Sequence, residues 1–386
     1  MLISAVMALL GLALDLMLPA FDDIRMAFDL EDGSGQVGQV ITVFFLGLAA
    51  AQVIYGPLAD RFGRKPVLYI GITIYLIGAV GSAYAPSFAW LLASRFVWGL
   101  GAAGSRVVAT AIIRDHFEGI RMAKAMSQIM AVFILVPVIA PAIGTGIVAV
   151  LPWRGVFWFC FFWAVVVGVW SLRLHETLDP AHRRPLSLRE STGGFVQVAR
   201  TPVTGGYIVA GMFLQGVFTA YLASSEQMIT EIFGLQGQFP LVFGSIAIMF
   251  WLAAILNGRF VSIVGVEGLI LRVLMVQFPL TLVLIAVSVI GDGTPNFWVF
   301  MPLVGLMLST FMFLMPNLNT AAMGPVGELA GTASALSGAT RMAGGAVLGT
   351  IIAAGIDTSV TPFAVGAAVM SFCTSITVGV VRWRQR

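Results

Sequence analysis

Charge is what this sequence has least of. Asp, Glu, Lys and Arg together make up 10% of its 386 residues, against about a quarter in a soluble domain. A chain so poor in charge cannot clothe a water-facing surface. Cysteine is as scarce. Cys160 and Cys373 are the only two. Both lie inside apolar runs, too few for a disulfide framework or a Zn site, and they leave the redox compartment open. Histidine is limited to His116, His175 and His182, and no H-E-x-x-H or G-x-S-x-G stretch occurs. A hydrolase or zinc enzyme is therefore set aside, and no cofactor or metal is called for. The net charge of +3 sits in short segments between apolar runs, not on one basic face, which argues against nucleic-acid binding.

Hydrophobicity is what the chain has instead. Apolar residues make up 59% of the positions, and the mean hydropathy is +0.97. A membrane span needs about 20 mostly apolar residues, so there is room for about twelve. The apolar runs fall at 2–20, 38–59, 66–85, 89–112, 125–150, 154–174, 204–226, 240–258, 267–290, 296–318, 331–355 and 360–381. The first is read as a span and not as a signal peptide, because no cleavage pattern and polar mature domain follow it.

Basic residues cluster in alternate connections. Arg61, Arg64 and Lys65 share one; Arg114, Arg121 and Lys124 the next; Arg173, Arg183, Arg184, Arg189 and Arg200 the central one. Arg259 and Arg272 flank a fourth, and Arg382, Arg384 and Arg386 form the tail. Since cytoplasmic loops hold the excess of Lys and Arg, both termini are expected in the cytoplasm. The polar stretch 175–203 divides the runs six and six. It reads as a linker between bundles 1–174 and 204–386. A faint internal repeat agrees: Gly56 and Gly63 after the second run match Gly258 and Gly265 after the eighth, although Ser262 and Val266 stand where Asp60 and Arg64 stand in the first copy. Repeats of this kind commonly build transporters.

The most specific motif is Gly56-Pro57-Leu58-Ala59-Asp60-Arg61-Phe62-Gly63-Arg64-Lys65-Pro66. It resembles the signature loop of the major facilitator superfamily, G-x-L-a-D-r-x-G-r-k. Arg95 with Gly99 resembles the R-x-x-q-G motif of proton-driven drug exporters, with Trp98 at the usual glutamine. Pro137 to Gly144 resembles the antiporter motif G-P-x-x-G-G, with Pro141 and Gly144 in place and Ala140 and Thr145 replacing two glycines. Trp153-Arg154-Gly155-Val156-Phe157 resembles a W-R-x-x-F segment. Asp15-Leu16-Met17-Leu18-Pro19, Ile113-Arg114-Asp115, Pro316-Asn317 and Gly331-Thr332-Ala333-Ser334-Ala335 then resemble the Bcr/CflA drug-resistance subfamily.

The resemblance implies an all-α integral membrane protein of about twelve transmembrane helices in two six-helix bundles with pseudo-two-fold symmetry. It implies a proton-coupled efflux antiporter that exports small amphipathic molecules by alternating access. The partners implied are a small-molecule substrate, protons and the bilayer, for a monomer in the inner membrane. An alternative is a dedicated exporter of an anionic metabolite such as a carboxylate siderophore. Conformational gating would fall to Gly56, Asp60, Arg61, Gly63, Arg64, Asp115, Pro141 and Gly144, with Asp60, Arg64 and Asp115 forming a charge cluster.

Charges within spans are costly and mark function or pairing. Asp15 and Arg95 lie at similar depth and read either as the proton-coupling pair or as a packing ion pair. Glu226 reads as a wetted interfacial acid or a second proton site. Arg106 lies eleven residues after Arg95, within about 20° of the same helical face. It either snorkels or serves, with Asp15, Arg95, Asn317 and Arg341, a cavity that accepts carboxylates.

Overall fold

A computed structural model describes residues 1–31, 35–116, 135–178, 188–235 and 237–385. The start of the expected fifth span, together with Arg121 and Lys124, lies outside the described residues, as do His182, Arg183, Arg184 and Arg386. The chain divides into two compact units, Met1–Leu30 with Val43–Ser187, and Glu31–Thr42 with Leu188–Arg386. All regular structure among the described residues is helical.

The first unit opens with α1 (Leu2–Asp15), a 3₁₀ turn over Leu18–Ala20 and α2 (Phe21–Ala27). Most of α3 (Gln39–Phe62) follows, then α4 (Arg64–Ala83), α5 (Phe88–His116) and α7 (Gly155–Ser171). Between α5 and α7 lies α6 (Leu135–Val148). The second unit holds α8 (Leu188–Arg200), α9 (Pro202–Gln227), α10 (Phe239–Val264), α11 (Val266–Ile290), α12 (Phe297–Met323), α13 (Ala330–Ala353) and α14 (Thr361–Gln385). Among the described residues, ten stretches are long and apolar enough to cross a membrane, and α6 and α7 are shorter apolar helices. These twelve correspond in order to the twelve apolar runs.

Two local rules of the sequence show directly in this architecture. A helix apolar on every side belongs inside a bundle, and α1 is buried from Ala5 to Asp15 without a break. Helices in lipid expose large apolar side chains at no cost, as α11 does with Met275, Val276 and Ile290. The polar stretch 175–203 holds more than a loop. Its second half forms α8, an amphipathic helix that buries Val198 against Tyr207, Ile270, Leu314 and Val378 of the second unit.

The repeat seen in the sequence recurs in the backbone. Gly63 sits at φ 101°, ψ 161° just before α4, and Gly265 at φ 72°, ψ 169° just before α11. That region is open essentially to glycine alone. Both copies therefore make the same turn between consecutive spans, whatever charges they carry.

Candidate functional site

Pro19 has no N–H to give, and regular α-helical bonding in the first span lapses four residues before it, at Asp15. The span continues through a turn and the 3₁₀ segment into α2. The first apolar run is thus a broken helix with Asp15 at the break. Broken helices inside membranes are tolerated where protein covers the freed backbone groups, and here it does. Arg95 Nη1 of α5 donates to the Ala13 carbonyl at 2.9 Å. Tyr75 Oη of α4 adds a hydrogen bond to the Leu9 carbonyl, a turn earlier inside α1, at 3.0 Å. A cation at the C-terminal end of a helix also opposes the dipole that gathers there.

Arg95 is fully buried. Its guanidinium lies 4.5 Å from the Phe44 ring centroid and 4.9 Å from that of Trp98, within cation–π range. Trp98 in turn meets Tyr75 and Phe157 edge-on. The tryptophan that replaces the motif's usual glutamine is therefore one wall of the arginine's pocket. The Asp15 carboxylate is buried, and among the described residues it forms no ion pair with Arg95. Gly144 of α6 closes the same region. A Cβ there would run into the Leu16 carbonyl and reach Pro19, so glycine is what lets α6 lie against the break. Pro141 is buried one turn earlier.

Gly144→Ala is expected to push α6 off this break. Overpacking of this kind costs about 1–3 kcal/mol. A lowered midpoint of thermal unfolding would register it, and an unchanged midpoint would mean that α6 and α1 do not pack as described.

At the other end of the first unit the expected charge cluster is present. Arg64 Nη1 donates to Asp60 Oδ1 at 2.6 Å, and Arg64 Nε to Asp115 Oδ2 at 2.9 Å. Arg64 is buried and Asp60 partly exposed. Arg61 is exposed and lies over the Phe62 ring. A Cβ on Gly56 would meet no described atom within 4 Å. A Cβ on Gly63, by contrast, would have no room among the described atoms. Arg106, also in the first unit, is partly buried. Its guanidinium has no hydrogen-bond or ion-pair partner among the described residues.

In the second unit, Glu226 is buried near the end of α9, where a π-helical turn over Met228–Ile232 begins. Such turns are uncommon and recur at functional sites. Thr230 Oγ1 donates to Glu226 Oε1 at 2.7 Å. Gln227 Nε2 donates to the Ile356 and Asp357 carbonyls beyond α13. Asn317 Nδ2 donates to Asn257 Oδ1 at 2.7 Å, which ties α12 to α10. Arg341 lies against α9 at Gly211, and its Nη1 contacts Met315 Sδ at 3.2 Å. Asp15, Arg95 and Arg106 thus belong to one unit, and Glu226, Asn317 and Arg341 to the other.

The residues that sequence reasoning passed over are Phe44, Tyr75 and the Ala13 carbonyl. Only Trp98 carried a signal, as a departure from its motif.

The class these features define is a polytopic helical membrane protein that buries ionisable groups inside its spans. Residues 2–350 match the Major Facilitator Superfamily, and the chain belongs to that family of transporters; it is not an enzyme. It is 30% identical over 364 residues to the bicyclomycin resistance protein homolog of Haemophilus influenzae, covering 92% of this chain and 89% of that one. It is 29% identical over 232 residues to the multidrug resistance protein MdtL of Salmonella heidelberg, 58% of each chain. The crystal structure of a D-xylose–proton symporter shares the fold at TM-score 0.76 and 13% identity, over 97% of this chain and 95% of that one. The expected superfamily and its drug-resistance branch are both met.

Proposed function

We propose that this transporter exports small amphipathic molecules in exchange for protons, by alternating access across the inner membrane, with both termini cytoplasmic. The observation that carries the reading is Asp15, a buried carboxylate at the break of a membrane span. It has no ion-pair partner among the described residues. An acid so placed takes up and gives back a proton without first dissolving an ion pair. Arg95 keeps the break in shape, and Glu226 offers a second protonatable group. Asp60, Arg64 and Asp115 act as the conformational fastening, and Asn317 and Arg341 line the substrate path. The names of the relatives support drugs as substrates.

The test is proton release by purified protein on addition of bicyclomycin, chloramphenicol, ethidium or a tricarboxylate, read in weakly buffered solution. Release with any of these supports antiport. Silence with all four, alongside demonstrated binding of one, overturns it.

Arg106 favours a second reading, export of an anionic metabolite, because a guanidinium inside a span with no partner among the described residues attracts carboxylate. If that reading holds, Arg106→Ala weakens tricarboxylate binding by about tenfold, a charge-assisted hydrogen bond's worth, and leaves ethidium binding unchanged. Equal binding of the tricarboxylate by both proteins would reduce Arg106 to a snorkelling residue.

A further inference from the structure

The loop between α3 and α4 is fastened from outside itself. Glu176 follows α7 by a few residues. Its Oε1 accepts the Arg64 backbone N–H at 2.8 Å, and its Oε2 that of Lys65 at 3.1 Å. These are the first two amides of α4, which no intrahelical carbonyl reaches. Oε1 also accepts the N–H groups of Thr177 and Leu178 at 2.9 and 3.0 Å, so the carboxylate shapes its own segment while capping another helix. A Cβ on Gly63 would fall onto this carboxylate. The glycine thus gives Glu176 its place as well as making the turn.

The fastening runs in both directions. Lys65 Nζ donates to the Leu172 carbonyl at the C-terminal end of α7 at 3.1 Å. An anion from the α7 side meets the positive end of α4, and a cation from α4 meets the negative end of α7. Each is the charge its helix end favours. Beside them, Thr177 Oγ1 donates at 3.0 Å to Asp115 Oδ2, the same oxygen that receives Arg64 Nε.

We infer that Glu176 is a positioning residue of the α3–α4 loop: by capping α4 it holds Arg64 between Asp60 and Asp115, so that this loop and the chain leaving α7 move as one piece. The contacts stand independently of the proposed antiport; only the turnover experiment below rests on it.

The charged groups meeting here are Arg64 and Lys65 of α4, Asp60 of α3 and Asp115 of α5, with the titratable His116 next to Asp115 in sequence and Arg173 and His175 next to Glu176. Burial works against charge on Glu176, but the backbone donors from Leu178, Arg64, Lys65 and Thr177 outweigh it and hold its carboxyl below the usual range. The cap is therefore complete at neutral pH. It is lost only as pH falls through that lowered value, beneath the ordinary carboxylate range.

The test is amide hydrogen exchange of the full-length protein in nanodiscs, resolved to a peptide covering 64–68 and corrected for the intrinsic effect of pH. In Glu176→Ala, exchange there quickens about tenfold, as loss of an N-cap predicts. Glu176→Gln keeps one acceptor oxygen and falls between. Wild-type protection is lost in the acid range, whereas in Glu176→Gln it has no such step. In transport of whichever probe the wild type exports, Glu176→Gln lowers kcat about fivefold and leaves KM as it was. Wild-type exchange in Glu176→Ala, or an acid step retained in Glu176→Gln, overturns the inference. So does an unaltered kcat. If the wild type exports none of the probes, the proposed function fails and the exchange result still decides the role of Glu176.

Discussion

Asp15→Asn is expected to fold and bind substrate yet to export nothing against a gradient. The side chain keeps its size at a buried position, so packing around the α1 break is preserved. The Ala13 carbonyl still receives Arg95, because that contact uses backbone. What disappears is the proton. An amide does not titrate in any accessible range, so the proposed coupling of proton entry to substrate exit would have no carrier. Downhill movement of substrate should survive and lose its pH dependence, while gradient-driven export should fall by about a hundredfold or more, the scale on which removal of an essential acid–base group acts. Proteoliposomes with an imposed proton gradient make both measurements on one preparation. Uphill export matching the wild type would remove Asp15 from the coupling mechanism.

Arg95→Ala is expected to damage the protein itself. The substitution leaves the Ala13 carbonyl without this donor and opens a void between the Phe44 and Trp98 rings. A buried acceptor stripped of its partner costs about 1–3 kcal/mol, and truncation of a large buried side chain about 2–5 kcal/mol. The sum is a large share of the stability of a typical domain, about 5–15 kcal/mol. Little folded protein should be recovered, with a sharply lowered unfolding midpoint in what is. Arg95→Lys keeps a donor but not the flat stacking surface, and should fall between. Arg106→Ala supplies the contrast, since the Arg106 guanidinium has no partner among the described residues; its stability should stay within about 0.5 kcal/mol of the wild type. If the two alanine variants are equally stable, the capping role of Arg95 is wrong.

Much of this was legible before any coordinates. The spans follow from apolar runs, because lipid tolerates little else. The Asp60–Arg64–Asp115 cluster follows from a motif whose spacing puts Asp60 and Arg64 one helical turn apart in sequence. That Asp15 and Arg95 fall inside apolar runs was readable too, but their relation was not. They share a region through the Ala13 carbonyl, and a backbone atom has no letter in a sequence. The break of the first span is hinted at by Pro19, yet where α-helical bonding lapses depends on which neighbours supply donors. Glu176 was invisible for a similar reason. Its partners are two amides more than a hundred positions away, and nothing in the local pattern ties an acid after one span to the first turn of another. The second half of the polar stretch 175–203 looked like linker because its apolar residues are few; α8 needs only one face to dock.

The turn at Gly63 and its counterpart at Gly265 differ in what occupies the space beside them. At Gly63 a carboxylate fills it; at Gly265 a Cβ would meet no described atom within 4 Å. Among the described residues the molecule therefore carries the same joint twice and a bolt on one of them. Bending the joint between α3 and α4 means drawing that bolt, with its capped amides and ion pairs. Bending the one between α10 and α11 meets no such fastening among the described residues. Among the described residues, then, two turns that share a backbone plan are unequally fastened, and the one between α3 and α4 is the stiffer of the two.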